Sequence, residues 1–261
     1  YLLTARPLDF FDGFDTMELE SGWGVDAGTG DCDFTVDRRT CKLELGSRSG
    51  SRPGWLRFYI GKSLDIWSIR GEAPFLLRSQ LTGMKDFRIE TRIDAESGNA
   101  LGFPVRDNTI IGLGVYESRT GNIGLIYGLE GTDANSFQLL VQRPFFSGDL
   151  PVVRFMDPII SLRVEASSID AEYRFYYKRE KDPSWVYHGA LPLIEFQDNN
   201  YGVEEPLVGL VAKTWAWNGG ILNNDYYADF DYFHVTALDD CTPTVSSVVG
   251  GTSTMPLLSR L

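Results

Sequence analysis

Apolar and polar residues alternate along much of this chain with a period of two. The clearest example is Phe87–Asp94, where Phe, Ile, Thr and Ile fill one set of alternate positions and charged residues fill the other. Successive side chains of a β-strand point to opposite faces, so this pattern predicts a half-buried strand. Four further segments show the same alternation: Leu56/Phe58/Ile60, Phe137/Leu139/Val141, Leu162/Val164/Ala166 and Tyr173/Phe175/Tyr177.

Clusters of glycine, asparagine and aspartate separate these segments, and such clusters are typical of turns. They fall at 28–31, 46–54, 97–99, 120–122 and 218–220. Helical periodicity is nearly absent, so the chain is predicted to be all-β. A single sheet of many short strands would leave one apolar face exposed. We therefore expect two antiparallel sheets packed face to face as a β-sandwich.

The end of the chain has a different composition. After residue 238, serine, threonine, valine and glycine replace the alternation. We therefore expect a sandwich domain over 1–238 and a linker or docking tail over 239–261. Apolar residues at 1–3 and 255–261 are candidates for contact with a neighbouring domain or subunit.

Charge limits the partners of this chain. It has 36 Asp and Glu against 24 Lys and Arg, a formal net charge of −12. Nucleic acid is not an expected partner, because binding it requires clustered Lys and Arg. Neutral glycans and hard cations held by oxygen ligands suit the composition better. No apolar run approaches the roughly 20 residues of a membrane-spanning helix, so no membrane insertion is expected.

Three cysteines leave the redox state open. Cys32 and Cys41 flank a polar, turn-rich stretch that a disulfide could close, although sequence alone does not supply the geometry. Cys241 would then be left over. It could instead pair with one of the other two, or all three could be buried thiols.

Four pieces of the sequence, in this order, resemble the concanavalin A-like lectin/glucanase superfamily, in particular bacterial modules appended to glycoside hydrolases or found on cell surfaces. They are 11–14 with 22–23, the strand at 86–93, the hairpin at 173–187, and the closing strands at 208–212 and 228–233. The resemblance implies a jelly-roll β-sandwich with carbohydrate recognition or a structural partner role. It also implies a secreted or cell-surface location, and a first residue other than methionine is what we expect of a processed or truncated product.

A structural calcium ion is the one cofactor that the resemblance implies. Asp12 and Asp15 lie in the first strand region, and Asp229 and Asp231 lie in the last. These positions resemble the pair of regions that meet at the calcium site of many such sandwiches. The alternative interpretation is that these residues are surface aspartates that flank a strand.

The sequence contains few signatures of a catalytic site. Glucanases of the superfamily that this chain resembles carry several carboxylates at alternate positions of one catalytic strand. This sequence has no such run. Glu90 and Asp94 share a face with Arg88 and Arg92, which predicts charge pairing across strands. Neither His188 nor His234 has a nucleophilic partner in a recognisable setting, so both are predicted to be hydrogen-bonded structural residues.

Aromatic residues supply the strongest candidate site. Trp215 and Trp217 lie in a loop rich in glycine and asparagine, between the strand around Gly209 and the strand around Asp229. Flat rings stack on the apolar face of a pyranose, and nearby amides and carboxylates bind its hydroxyl groups. One of the two tryptophans could instead pack in the core. The other predicted sugar ligands are Asn218, Asn223, Asn224, Asp225, Tyr226 and Tyr116.

These observations lead to three hypotheses. The first is a non-catalytic carbohydrate-binding module that takes a neutral glycan. The second is a structural or assembly subunit that contacts its neighbours through the terminal tails. The third is a glycan-processing enzyme of the same fold, either a glycoside hydrolase or a polysaccharide lyase.

Overall fold

In the part of the chain that it describes, a computed structural model has sixteen β-strands and one short helix. It describes residues 9–26, 43–59, 75–78, 86–95, 109–116, 123–132, 136–143, 146–147, 150–193, 207–214 and 227–238. The three cysteines, the predicted tail and residues 1–3 lie outside these ranges. The predicted Cys32–Cys41 bridge and the predicted tail therefore stay predictions.

The strands before residue 86 are short, and most strands after it are longer. The elements are β1 Asp9–Asp12, β2 Trp23–Asp26, β3 Leu43–Leu45, α1 Gly46–Ser49, β4 Leu56–Tyr59, β5 Phe75–Arg78, β6 Phe87–Asp94, β7 Thr109–Tyr116, β8 Ile123–Thr132, β9 Ser136–Arg143, β10 Phe146–Ser147, β11 Val153–Phe155, β12 Ile159–Ser167, β13 Glu172–Arg179, β14 Val186–Pro192, β15 Leu207–Thr214 and β16 Tyr227–Ala237.

The strands form two antiparallel sheets. Sheet A has the order β14-β13-β12-β6-β16-β4-β3, and β1 also pairs with β16. Sheet B has the order β10-β9-β8-β7-β15-β5-β2, and β11 also pairs with β9. The predicted all-β fold with two antiparallel sheets is confirmed.

One hydrophobic cluster fills the space between the sheets. The apolar side of β6 behaves as its alternation predicts, because Phe87, Ile89, Thr91 and Ile93 are all buried. The apolar positions of the other four alternating segments are buried as well, apart from Ile60, which lies outside the described residues. Aromatic rings meet inside this core, with a distance of 5.1 Å between the ring centroids of Tyr127 in sheet B and Phe175 in sheet A.

Asp12 joins the two sheets at the start of the chain. One oxygen of its buried carboxylate accepts a hydrogen bond from the amide of Phe14 at 2.8 Å. The other accepts from the amide of Glu20 at 3.2 Å and from Nε1 of Trp23 at 2.8 Å. Since β1 belongs to sheet A and β2, which begins at Trp23, belongs to sheet B, this carboxylate links the sheets.

His188 makes a second polar link between the sheets. Its Nε2 lies 2.6 Å from the carbonyl oxygen of Pro151, which can only accept, so Nε2 carries the proton and donates it. Nδ1 then accepts from the Tyr127 hydroxyl at 3.2 Å. Burial lowers the pKa of His188, although the hydrogen bond to Pro151 acts in the opposite direction. The prediction of a hydrogen-bonded structural histidine is confirmed.

Most outward positions in the middle of sheet B are glycine or apolar, although the buried Lys213 of β15 also points outward. Gly112 on β7 pairs with Gly128 on β8. A Cβ atom added to Gly112 would lie 2.1 Å from the carbonyl oxygen of Tyr127, so only glycine fits this approach of two strands. Three outward apolar residues, each at most 1% exposed, do not belong to the central core: Ile110, Ile126 and Val211. At these three positions sheet B is therefore buried on its outer face as well as on its core face.

Candidate functional site

The predicted sugar loop joins the two sheets. Thr214 is the last residue of β15 in sheet B, and Tyr227 is the first residue of β16 in sheet A. Tyr116 ends β7, with its backbone opposite Leu207. The other predicted ligands lie outside the described residues: Trp215, Trp217, Asn218, Asn223, Asn224, Asp225 and Tyr226. This site stays a prediction.

The four aspartates of the predicted calcium site lie in different surroundings. Asp12 points to the core side of sheet A, where the three hydrogen-bond donors described above surround it, and Asp15 is exposed in the turn after β1. Asp229 and Asp231 bind arginines on the opposite, outer face of sheet A. Among the described residues, no group of three or more His, Cys, Asp or Glu side chains forms a metal site. Calcium binding therefore stays a prediction.

Among the described residues, charged and aromatic side chains gather on the outer face of sheet A. One continuous row of paired residues crosses six of its strands in register. In order from β1 to β14, the row contains Phe11, His234, Glu90, Arg163, Tyr176 and Tyr187. Five inter-strand spacings of ~4.8 Å give this row a length of about 24 Å.

Charged residues fill the centre of the row. We use the name Arg–Glu ladder for Arg88, Glu90, Arg163 and Glu165, which lie on the neighbouring strands β6 and β12. Nε of Arg88 donates to Glu165 at 2.7 Å, and Nε of Arg163 lies 2.8 Å from Glu90. Two longer contacts close the set, Arg88 to Glu90 at 3.8 Å and Arg163 to Glu165 at 3.9 Å. The predicted charge pairing across strands is confirmed, because Arg88 pairs with Glu165 of β12 and Glu90 pairs with Arg163 of β12.

The ladder does not have the arrangement of a hydrolytic site. Both of its carboxylates lie between two guanidinium groups, so each already has charged partners. A glycosidase needs one carboxyl group that is protonated and one that is free to attack or to activate water. Asp229, the fully buried carboxylate on this face, is likewise bound by Arg52 and Arg57. These groups can hydrogen-bond a ligand.

Three aromatic rings lie at the β14 end of the row, and we call Tyr176, Trp185 and Tyr187 the Tyr187 cluster. The ring centroids of Tyr176 and Tyr187 are 5.4 Å apart, and Tyr187 is 57% exposed. The guanidinium carbon of Arg163 lies 4.0 Å from the Trp185 ring centroid, so the ladder and this cluster are in contact. Burial raises the pKa of Tyr176, and the neighbouring Glu165 carboxylate raises it further.

Phe11, Tyr232 and His234 form the Phe11 cluster at the opposite end. Phe11 is 57% exposed and stacks on Tyr232 with a centroid distance of 5.8 Å and an angle of 23° between the rings. His234 meets Phe11 edge-on and bonds the carboxylate of Asp9. Burial and the nearby Glu90 raise the pKa of Tyr232 to about 12, so its hydroxyl keeps its proton at neutral pH.

The sequence analysis missed this face as a site. Its signal was present, because Phe11 and Tyr176 occupy outward positions of strands whose other outward residues are charged, and Tyr187 points outward on β14. What the sequence lacked was the register. It does not reveal that strands so distant along the chain place these rings in one row.

Comparison with known proteins gives matches at the level of structure. No family model and no curated protein sequence matches the chain. The GH43 protein BlXynB from Bacillus licheniformis superposes with a TM-score of 0.61 at 21% identity, over 87% of this chain and 39% of that chain. Rv0315 of Mycobacterium tuberculosis, described as an immunostimulatory antigen and pseudo beta-1,3-glucanase, gives 0.52 at 12% identity, over 88% of this chain and 98% of its own. The fold is concanavalin A-like.

The extent of the matches differs between these structures. A xylan beta-1,4-xylosidase from Bacillus halodurans C-125 also gives a TM-score of 0.61, at 17% identity, with 87% of this chain and 38% of that chain covered. This chain thus spans about two fifths of the length of BlXynB and of the xylosidase, and it covers nearly all of Rv0315. At these identities the likeness shows a common concanavalin A-like fold.

Proposed function

We propose that this chain is a non-catalytic carbohydrate-binding module that holds a neutral glycan. The observation that carries the proposal is the outer face of sheet A, where the Tyr187 cluster and the Phe11 cluster lie at the two ends of the Arg–Glu ladder. Exposed rings beside hydrogen-bonding side chains are what a sugar surface requires.

The charges of the ladder favour a neutral ligand. Its two arginines and two glutamates cancel, so the ladder itself has no excess charge to attract an anion or a cation. Each guanidinium has five N–H donors and each carboxylate has several acceptor positions, which leaves capacity for hydroxyl groups. A neutral glycan supplies both donors and acceptors without disturbing the pairs.

The comparisons support the same class of ligand. Three of the structural neighbours are described as a GH43 protein, a xylan beta-1,4-xylosidase and a pseudo beta-1,3-glucanase. A module attached to, or acting beside, enzymes that process polysaccharides fits this set, and it implies a secreted or cell-surface location. No helix in the described part of the chain is long and apolar enough to cross a membrane.

A structural or assembly role is the second candidate. It is favoured by the share of the GH43 and xylosidase chains that this chain covers, 39% and 38%, because a fold that forms part of a longer protein has neighbouring domains to contact. This role requires no sugar affinity, and it would leave the exposed rings of Phe11 and Tyr187 without a purpose.

Glycan binding by paired variants tests the proposal. The purified chain should bind at least one neutral polysaccharide in a panel of xylan, xyloglucan and β-glucans, measured by affinity electrophoresis. Tyr187→Ala and Phe11→Ala should each weaken binding by about 10-fold, within the usual range for an aromatic anchor. Ile169→Ala, which removes an equally exposed apolar residue from a turn, is the matched control.

A separate pair of variants tests the loop predicted from sequence. If Trp215→Ala and Trp217→Ala abolish binding while the Tyr187 and Phe11 variants bind normally, the function stands and its site moves to the loop. If no neutral glycan binds the unaltered chain, and the chain associates instead with a longer partner, the assembly role replaces the proposed function.

A further inference from the structure

We propose that the outer face of sheet A holds one polysaccharide strand in mid-chain, with the Phe11 cluster and the Tyr187 cluster contacting different sugar units of the same strand. This inference rests on the proposed function and adds the length and the register of the ligand. It assigns to the two clusters a joint role that neither could have alone.

The first step is the distance between the clusters. Phe11 on β1 and Tyr187 on β14 are the two end members of the register row, about 24 Å apart at ~4.8 Å for each strand crossed. A single sugar ring covers about one aromatic side chain, so no monosaccharide reaches both clusters. Only a chain of several sugar units can occupy the whole row.

The second step is the surface between the clusters. Each neighbouring pair in the row is a direct strand partner, so no gap interrupts the path from His234 through Glu90 to Arg163. The side chains of Glu90 and Arg163 are 13% and 17% exposed, which leaves their edges at the surface. A sugar chain that crosses the strands therefore passes over paired charges that can bond its hydroxyl groups.

The third step is that the row has open ends. In the part of the chain that the structure describes, β14 is an edge strand of sheet A and β1 pairs with β16 alone. No further described strand stands beyond Phe11 or Tyr187 to block the path. A site that recognises the end of a glycan needs a wall, and no described strand forms one at either end of this row.

The fourth step concerns the charge of the polysaccharide. The formal charge of the chain is −12, and the ladder adds no positive excess to offset it. An acidic polysaccharide would be repelled by the protein as a whole. The ligand class is thus a neutral polysaccharide with an extended backbone.

A length series measures the joint role of the two clusters. Calorimetry with oligosaccharides cut from the polysaccharide that binds best, from disaccharide to polymer, should show affinity that rises with length until one chain reaches both clusters. Joining two weak contacts on one strand raises affinity well above either contact alone. Beyond that length, affinity per chain should level off, and blocking the reducing end of the longest oligosaccharide should have no effect.

Variants at each end should change this curve in the same way. Phe11→Ala and Tyr187→Ala should each lower the affinity of the longest oligosaccharide by about 10-fold and leave the disaccharide nearly unchanged, because a short ligand can still use the other cluster. The double variant should weaken all lengths. Ile169→Ala should reproduce the unaltered curve, and thermal unfolding should confirm that each variant is folded.

The possible failures separate the two proposals. If glycans bind but affinity is already maximal for the disaccharide, or if blocking the chain end abolishes binding, the mid-chain inference is wrong and the proposed function stands. If Phe11→Ala leaves every length unaffected, the Phe11 cluster has no part in the site. If no oligosaccharide or polymer binds, both proposals fall.

Discussion

The two outer faces of this sandwich contrast sharply, although the two inner faces are built alike. On sheet A the outward residues are arginine, glutamate, aspartate and aromatic side chains, and the exposed Phe11 and Tyr187 stand at the ends of the row. On sheet B the central outward residues are glycines and buried apolar side chains such as Ile126 and Val211. The same apolar core thus supports an outer face with exposed aromatic rings on sheet A and an outer face with a buried centre on sheet B.

This difference shows where the chain keeps its capacity to recognise a ligand. A face of paired charges and exposed rings can exchange water for hydroxyl groups at little cost, because its charges already have partners. At the centre of sheet B, the paired glycines Gly112 and Gly128 let the strands approach closely, and Glu130 and Gln138 on the same outer face are already hydrogen-bonded to each other. Glycan binding is therefore expected to depend on sheet A. The stability of the sandwich is expected to be more sensitive to substitutions in sheet B.

The largest expected effect on stability comes from comparing a valine substitution in sheet B with one in sheet A. Gly112→Val in sheet B should destabilise the fold by about 4 kcal/mol or more, since its Cβ would lie 2.1 Å from a backbone oxygen that cannot move aside. Ala190→Val, at a half-buried outward position of sheet A, should change stability by less than about 0.5 kcal/mol. Urea unfolding measures both. Equal losses would remove the contrast between the faces.

The next effect concerns the link between the sheets. Asp12→Ala leaves the amides of Phe14 and Glu20 and the Trp23 indole without their acceptor, and it should cost about 3 kcal/mol. Asp15→Ala, three residues away at an exposed position, is the matched control and should be nearly neutral. A small loss for Asp12→Ala, measured by the same unfolding curve, would mean that water can replace this acceptor.

The contrast also explains how far the sequence could predict the fold. In β6, charges at every outward position made the alternation plain, and the strand was predicted with its bounds. In β7 and β8, apolar residues and glycines stand on both sides, as expected for strands buried on both faces, and the period of two is hidden. The overall sandwich was predictable because enough strands of sheet A kept the clear pattern.

The candidate site was harder to predict than the fold. Local sequence located Glu90 beside Arg88, and it gave the correct inference of charge pairing. It could not place Arg163 beside Glu90, because β6 and β12 are more than sixty residues apart along the chain and only the folded sheet makes them neighbours. The structure places the predicted calcium ligands in different surroundings, since Asp12 turns to the core and Asp229 turns outward.

A third test uses the pH dependence of His188, which lies between the two sheets against Tyr127 and Tyr177. Its folded-state pKa is lowered, so below about pH 6.5 the unfolded chain binds more protons than the folded chain. Its contribution to stability is fully present above that pH and is lost as the pH falls toward the folded pKa. The melting temperature of the unaltered chain should therefore drop more steeply with acid than that of His188→Gln. Parallel curves would contradict the lowered pKa.

A smaller effect is expected within the ladder. Glu165→Gln removes one carboxylate between Arg88 and Arg163 and should destabilise the chain by about 1 kcal/mol, because these pairs are only partly buried. The loss should shrink as salt concentration rises, since salt screens exposed charges. Lys181→Ala, which removes an exposed pair with Asp157, is the control and should have little effect. A loss for Glu165→Gln that does not change with salt would argue against an electrostatic origin.

Calcium should give the smallest effect. Binding to the folded state alone raises stability with ligand concentration, so a calcium site predicts a higher melting temperature with calcium than with a chelator. Asp229 and Asp231 are already bound by arginines, so any increase should be slight. A shift that Asp15→Ala abolishes would establish the predicted site, and a melting temperature indifferent to both additions would end it.

The central claim is that sheet A, and not sheet B, meets the glycan. Backbone amide chemical shifts recorded during titration with the best-binding neutral oligosaccharide test it most directly. The account predicts the largest changes along the row, at Phe11, Glu90, Arg163 and Tyr187, with the amides of Gly112 in sheet B unaffected. Changes confined to sheet B, or to residues 215–226, would contradict it.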